Sequence, residues 1–103
     1  MIVPDVNLLV YAHNAEAPSH AAARAWWETL LSRGTRVGLP WAVTLGFLRL
    51  VTHPAVMRSP LAPADALRRV DAWYACEGVV ALEPGPRHLV ILRELFEATG
   101  VGV

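Results

Sequence analysis

The residue best suited to metal chemistry is Asp5, which directly follows a short apolar segment at positions 2–4. Asn7 stands two positions further on, where a helical pattern begins. In open parallel sheets, ligands bind beyond the carboxyl ends of the strands, and Mg²⁺ prefers oxygen ligands. Because Asp and Asn are also preferred helix caps, the spacing alone leaves two interpretations open: a carboxylate that holds a cation, or a capped helix.

The other acidic and metal-binding residue types form no comparable group. Glu83 follows the third apolar run and is the next candidate acid, although a turn residue before Pro84-Gly85 is the simpler interpretation. Six acids fall on the polar faces of predicted helices: Glu16, Glu28, Asp65, Asp71, Glu94 and Glu97. The four histidines share no short spacing typical of a metal site: His13, His20, His53 and His88. Cys76 is the only cysteine, and its apolar surroundings favour a structural role.

Three short apolar runs predict buried strands that position these residues. They cover residues 2–5, 37–40 and 79–82, and Gly or Pro residues bound or end each of them. Runs of this length with such boundaries are typical of strands rather than helices. Asp5 and Glu83 then stand where two of the strands end.

The segments between these runs have the three- and four-residue apolar spacing of helices. Five helices are predicted: residues 7–12; a helix that starts at Pro18-Ser19 and stops at Gly34; residues 41–52; a helix that starts at Pro63; and one from Pro86 to Gly100. Strands that alternate with helices favour parallel pairing and an α/β architecture.

Length and composition limit the kind of protein this is. The chain has 103 residues, which we interpret as a single domain, and 54% of them are hydrophobic, which excludes a disordered chain. A formal net charge of zero argues against nucleic-acid binding by bulk electrostatics alone. The first residues lack the leader of a signal peptide, and no apolar run has the length of a membrane span. We therefore expect a cytoplasmic protein without membrane contact.

Three segments resemble a known family. Residues 1–12 (MIVPDVNLLVYA) are similar to the opening of PIN domains, in particular those of VapC toxins from bacterial toxin–antitoxin pairs. Residues 41–54 (WAVTLGFLRLVTHP) resemble a helix of one VapC subgroup, and residues 82–88 (LEPGPRH) resemble the segment that enters the next helix. The resemblance extends over essentially the whole chain.

The resemblance implies a PIN-like three-layer sandwich and an endoribonuclease that depends on Mg²⁺ or Mn²⁺. Asp5 matches the first acid of the family and would be a catalytic metal ligand, and Asn7 would orient Asp5 or a water. The second family acid falls on Gly46. The remaining family acids lie beyond residue 103, so residues 1–103 would form one C-terminally incomplete domain that lacks the last strand and helix elements.

The implied partners are an RNA substrate, a cognate antitoxin protein and a second copy of the chain in a homodimer. Because only one family acid is present, a second hypothesis is a catalytically inactive PIN remnant that binds the antitoxin or dimerises through its aromatic helices. A third is a small phosphate-binding or receiver-like module that uses Asp5 alone.

Overall fold

The chain folds into helices that flank a short parallel sheet, in a computed structural model that describes residues 1–83 and 85–99. Seven elements follow one another: α1 (Val6–His13), α2 (His20–Ser32), β1 (Val37–Pro40), α3 (Trp41–Val51), α4 (Pro63–Tyr74), β2 (Val79–Leu82) and α5 (His88–Thr99). The α/β class predicted from the sequence is confirmed.

The sheet is built around β1. On one side β1 pairs in parallel with β2, with Val37 opposite Val79 and Pro40 opposite Leu82. On its other side β1 forms a parallel bridge from Val37 to Ile2. The order across the sheet is therefore the N-terminal segment, β1 and β2, and all three segments run in the same direction.

The first strand is shorter than predicted: residues 2–5 form one bridge at Ile2 rather than a ladder. The Ile2 N–H donates to the Arg36 carbonyl at 2.9 Å, and the Gly38 N–H donates to the Ile2 carbonyl at 2.9 Å. The next hydrogen bond in a parallel ladder would come from the N–H of residue 4. Because Pro4 has no N–H, the pairing stops there, and the chain turns into α1 at Val6.

The other element boundaries follow the signals in the sequence closely. Gly34 ends α2 with a φ of 66°, a backbone conformation that glycine adopts without the steric cost of a Cβ. Pro63 occupies the start of α4, as expected for a residue whose missing N–H has no partner in the first turn. The last helix begins at His88 rather than Pro86. Its predicted end at Gly100 lies outside the described residues.

A cluster of four aromatic rings joins the helices in the core. Phe47 of α3 meets Trp73 of α4 edge to face, with ring centroids 4.5 Å apart. Trp27 of α2 meets Trp73 in the same way at 5.4 Å. The imidazole of His13, at the end of α1, lies 4.9 Å from the Phe47 ring and 5.5 Å from the Trp73 ring. Edge-to-face pairs of this kind add to the stabilisation from buried area.

His13 is the one ionisable member of this aromatic cluster, and its surroundings favour the neutral ring. Burial lowers the pKa of His13 below its ordinary value of 6.5. The positive charges of Arg69, His20 and Arg24 act in the same direction, whereas the hydrogen bond with the Leu9 carbonyl opposes them. The Nδ1 atom of His13 donates to that carbonyl at 2.7 Å.

We predict that the fold loses stability as the pH falls below 6.5, the ordinary pKa of histidine. The pKa of His13 is lower in the folded state than in the unfolded state. At pH values between these two pKa values, the unfolded state therefore binds more protons. The free energy of unfolding is therefore at its full value above pH 6.5 and falls toward the pKa of the folded state. Urea titrations followed by tryptophan fluorescence, from about pH 8 to about pH 5, measure this change.

Two variants isolate the contribution of His13. His13→Met removes the imidazole, so this part of the pH dependence should disappear. In His53→Gln it should remain, because His53 is exposed. Identical pH profiles for His13→Met and the wild type would contradict the assignment.

Candidate metal site

Asp5 lies at the carboxyl end of the N-terminal segment and directly before α1. Counted from the bridge between Ile2 and Val37, it is level with Pro40 and Leu82, the last residues of β1 and β2. Asp5 therefore stands at the edge of the sheet where ligands bind in open parallel architectures.

The Asp5 side chain takes no part in capping α1. The backbone of Asp5 is extended, and its carbonyl accepts the N–H groups of Leu8 and Leu9 at 3.1 and 3.4 Å. Its carboxylate makes no capping hydrogen bond, and the residue is exposed. Of the two interpretations that the sequence left open, the geometry favours an uncommitted carboxylate over a capping one.

Asn7 is exposed in the first turn of α1. No hydrogen bond between its side chain and Asp5 is found within residues 1–83 and 85–99. The first N–H groups of a helix have no partner inside it, and together with the helix dipole they attract anionic groups such as phosphate. The N-terminus of α1 therefore attracts phosphate groups and lies beside the carboxylate of Asp5.

The other acids remain apart from Asp5. Glu83 is exposed and follows β2 at the same edge of the sheet. Because β1 lies between them, the backbones of Asp5 and Glu83 are separated by two strand spacings, or about 10 Å. In the described part of the chain, no three His, Cys, Asp or Glu side chains come together as a metal-binding group.

Gly46 of α3 faces the start of α1. A Cβ added at this glycine would lie 3.3 Å from Cγ2 of Val6, the residue that follows Asp5. Position 46 therefore lies against the residue that follows Asp5 in the chain. The correspondence of Gly46 to an acid of the family, which the resemblance implied, stays a prediction.

We did not predict from the sequence that Trp41 belongs to this edge. Trp41 begins α3 directly after β1 and is 45% exposed. The strand that it follows, β1, is bridged to the N-terminal segment that carries Asp5. A large aromatic residue directly after a buried strand is the signal that could have indicated this, since exposed aromatic rings stack on nucleic-acid bases.

Several proteins are similar to the chain over nearly all of its length. Ribonuclease VapC33 of Mycobacterium tuberculosis is 42% identical over 100 residues, which are 97% of this chain and 70% of that protein. The chain belongs to the VapC ribonuclease family. VapC ribonuclease Mb2897 of Mycobacterium bovis is 42% identical over 92% of this chain and 65% of its own length. Ribonuclease VapC25 of Mycobacterium tuberculosis is 39% identical over 94% of this chain and 68% of its own length.

These findings confirm the VapC resemblance seen in the sequence. The chain spans 65% to 70% of the length of these three VapC proteins. No protein-family model matches it. Among the described helices, none combines the length and the apolar composition needed to cross a bilayer.

We predict that Gly46→Glu increases the affinity of this VapC protein for Mn²⁺. The new carboxylate would stand next to Val6, the neighbour of Asp5, and would offset the unfavourable potential that a helix N-terminus presents to a cation. A second oxygen ligand should lower the dissociation constant about tenfold. Electron paramagnetic resonance of free Mn²⁺ measures the change.

The matched control is Thr29→Glu, which adds the same charge at an exposed position near the end of α2, in the helix that leads to the amino end of β1. Its Mn²⁺ affinity should equal that of the wild type. An equal gain in both variants would mean that net charge, not the position of residue 46, determines binding.

Proposed function

We propose that the protein is a metal-dependent endoribonuclease and the toxin component of a type II toxin–antitoxin pair. The observation that carries the proposal is the uncommitted Asp5 carboxylate at the carboxyl edge of the parallel sheet. The names of the relatives support the same activity, since VapC33, Mb2897 and VapC25 are ribonucleases. A catalytically inactive remnant is therefore not favoured.

Asp5 is the residue that would hold Mg²⁺ or Mn²⁺. Its exposed carboxylate is a suitable oxygen ligand for a hard cation. Because Asp5 is a single ligand, water and substrate oxygens would fill the other coordination positions of the metal. A divalent metal supplies a nucleophilic water and neutralises charge on the phosphate oxygens during phosphodiester hydrolysis. Asn7 would orient Asp5 or a bound water from the first turn of α1.

The proposed RNA substrate would meet the protein at three features of this edge. The N-terminus of α1 attracts a backbone phosphate, Asp5 stands beside it, and the Trp41 ring offers a surface for an adjacent base. The contact is local, which agrees with a net charge of zero.

The exposed apolar surface supports the proposed protein partners, an antitoxin and a second copy of the chain. An apolar groove of about 250 Å³ lies between α1 and α2, lined by Leu8, Ser19, Ala22, Ala23 and Trp26. Leu45 of α3 is 54% exposed. Exposed apolar patches of this kind mark interaction surfaces. The free Cys76 thiol and the proposed RNA substrate favour a cytoplasmic location.

Replacing the Asp5 carboxylate tests the proposed activity. We expect the purified protein to cleave RNA in Mg²⁺ or Mn²⁺, and Asp5→Asn to lower the rate by about 100-fold or more, because the amide cannot neutralise the cation. A chelator should abolish cleavage in the wild type. Cleavage of a fluorescent RNA oligonucleotide measures both effects.

Asp71→Asn is the control, because Asp71 is exposed on α4, away from the edge that carries Asp5. It should cleave at the wild-type rate. Undiminished cleavage by Asp5→Asn, or in the presence of chelator, would overturn the proposal.

A further inference from the structure

The chain exposes more surface than a folded monomer of its size. Its accessible surface is 6967 Å², whereas a folded monomer of 11.2 kDa exposes about 5,700 Å². Its radius of gyration is 15.1 Å, against about 13 Å for a compact domain of this length. The excess surface of about 1,300 Å² is larger than the roughly 800 Å² that each partner contributes to a stable interface. The chain therefore has enough uncovered surface for a partner.

One face of the parallel sheet is covered and the other is open. Successive side chains of a strand point to opposite faces. On the covered face, Val37 and Leu39 of β1 are fully buried, and Pro4 of the N-terminal segment is also buried. On the opposite face, Met1 and Val3 are exposed, Val3 by 53%. Because parallel sheets are normally covered on both faces, the second face lacks a layer within the described residues.

This open sheet face is flat and apolar between its edges. Gly38 of β1 lies beneath the side chains of Met1 and Leu82, since an added Cβ would be 2.7 Å from Sδ of Met1 and 2.6 Å from Cδ1 of Leu82. A larger residue at position 38 would displace both side chains. Pro40 and Val80 are half-buried on the same face. A surface of this shape suits a helix packed across it.

The first turn of α5 is a second uncovered apolar element. Leu89, Val90 and Ile91 are all exposed, Leu89 by 63%. Successive residues of a helix point about 100° apart, so these three side chains occupy different sides of the helix. A turn that is apolar on several sides is typical of a buried helix. The rest of the described chain leaves this turn open, so α5 does not pack across the open sheet face of its own chain.

We propose that α5 of one copy packs across the open sheet face of a second copy, and reciprocally, in a two-fold dimer. Each uncovered surface needs what the other supplies, because a parallel sheet needs a layer of helices and an apolar helix needs a surface to pack on. Both surfaces belong to one chain, so two identical contacts form a closed pair. A foreign helix on the sheet would leave α5 open. The inference rests on the second copy that the proposed function includes, and it names the surfaces that meet.

Sedimentation equilibrium of the purified chain tests the association. We expect a dimer of twice the 11.2 kDa chain mass at about 10 μM. Leu89→Gln should raise the dissociation constant about tenfold, because it places an amide in an apolar contact. Glu94→Gln is the matched control, since Glu94 is exposed and lies about 140° around the helix from Leu89. It should dimerise as the wild type does.

Cysteine cross-linking tests which surfaces meet. All variants carry Cys76→Ser, so each has one introduced thiol. Val3→Cys and Leu89→Cys are mixed in equal amounts and oxidised by air. We expect more disulfide-linked mixed dimer from this mixture than from the matched mixture of Val3→Cys and Glu94→Cys. Circular dichroism checks that each variant folds.

Three results would each overturn the inference: a monomer at every concentration, equal dissociation constants for Leu89→Gln and Glu94→Gln, and equal yields from the two cross-linking mixtures. A monomer would also remove the proposed homodimer. A wild-type dimer without the cross-link between positions 3 and 89 would remove this interface and keep the homodimer. RNA cleavage at Asp5 is measured independently, so failure of the nuclease proposal is distinguishable from failure of this one.

Discussion

The candidate metal site depends on two backbone hydrogen bonds at Ile2. They join the N-terminal segment to β1, through the carbonyl of Arg36 and the N–H of Gly38. Pro4 cannot continue this pairing, so the chain leaves the sheet and Asp5 follows in an extended conformation before α1. The Asp5 carboxylate makes no capping hydrogen bond to α1, so it remains available for a ligand.

The aromatic cluster determines how the helices stand around that segment. The contacts of Trp73 with Phe47 and Trp27 join α4 to α3 and α2, and His13 brings in the end of α1. The same packing brings Gly46 of α3 close to Val6 at the start of α1.

Much of the local structure could be predicted from the sequence, because it follows from short-range chemistry. The strands at 37–40 and 79–82 have the predicted bounds, and Gly34 ends a helix as expected. Spacing alone does not decide whether Trp26 or Trp27, or whether Trp73 or Tyr74, is buried, since neighbouring positions fit the same apolar stripe. Only the packing selects Trp27 and Trp73. The polar cleft lined by His13, Arg24 and Arg69 was not predictable, because three helices separated in sequence form it.

The most direct test of the account is to locate bound Mn²⁺ by paramagnetic broadening in ¹H–¹⁵N NMR spectra of the protein. The account predicts that the amide signals of Asp5, Val6 and Asn7 broaden first, and that Asp5→Asn removes this effect. Broadening centred on other residues, or broadening that persists in Asp5→Asn, would contradict the assignment of Asp5 as the metal ligand.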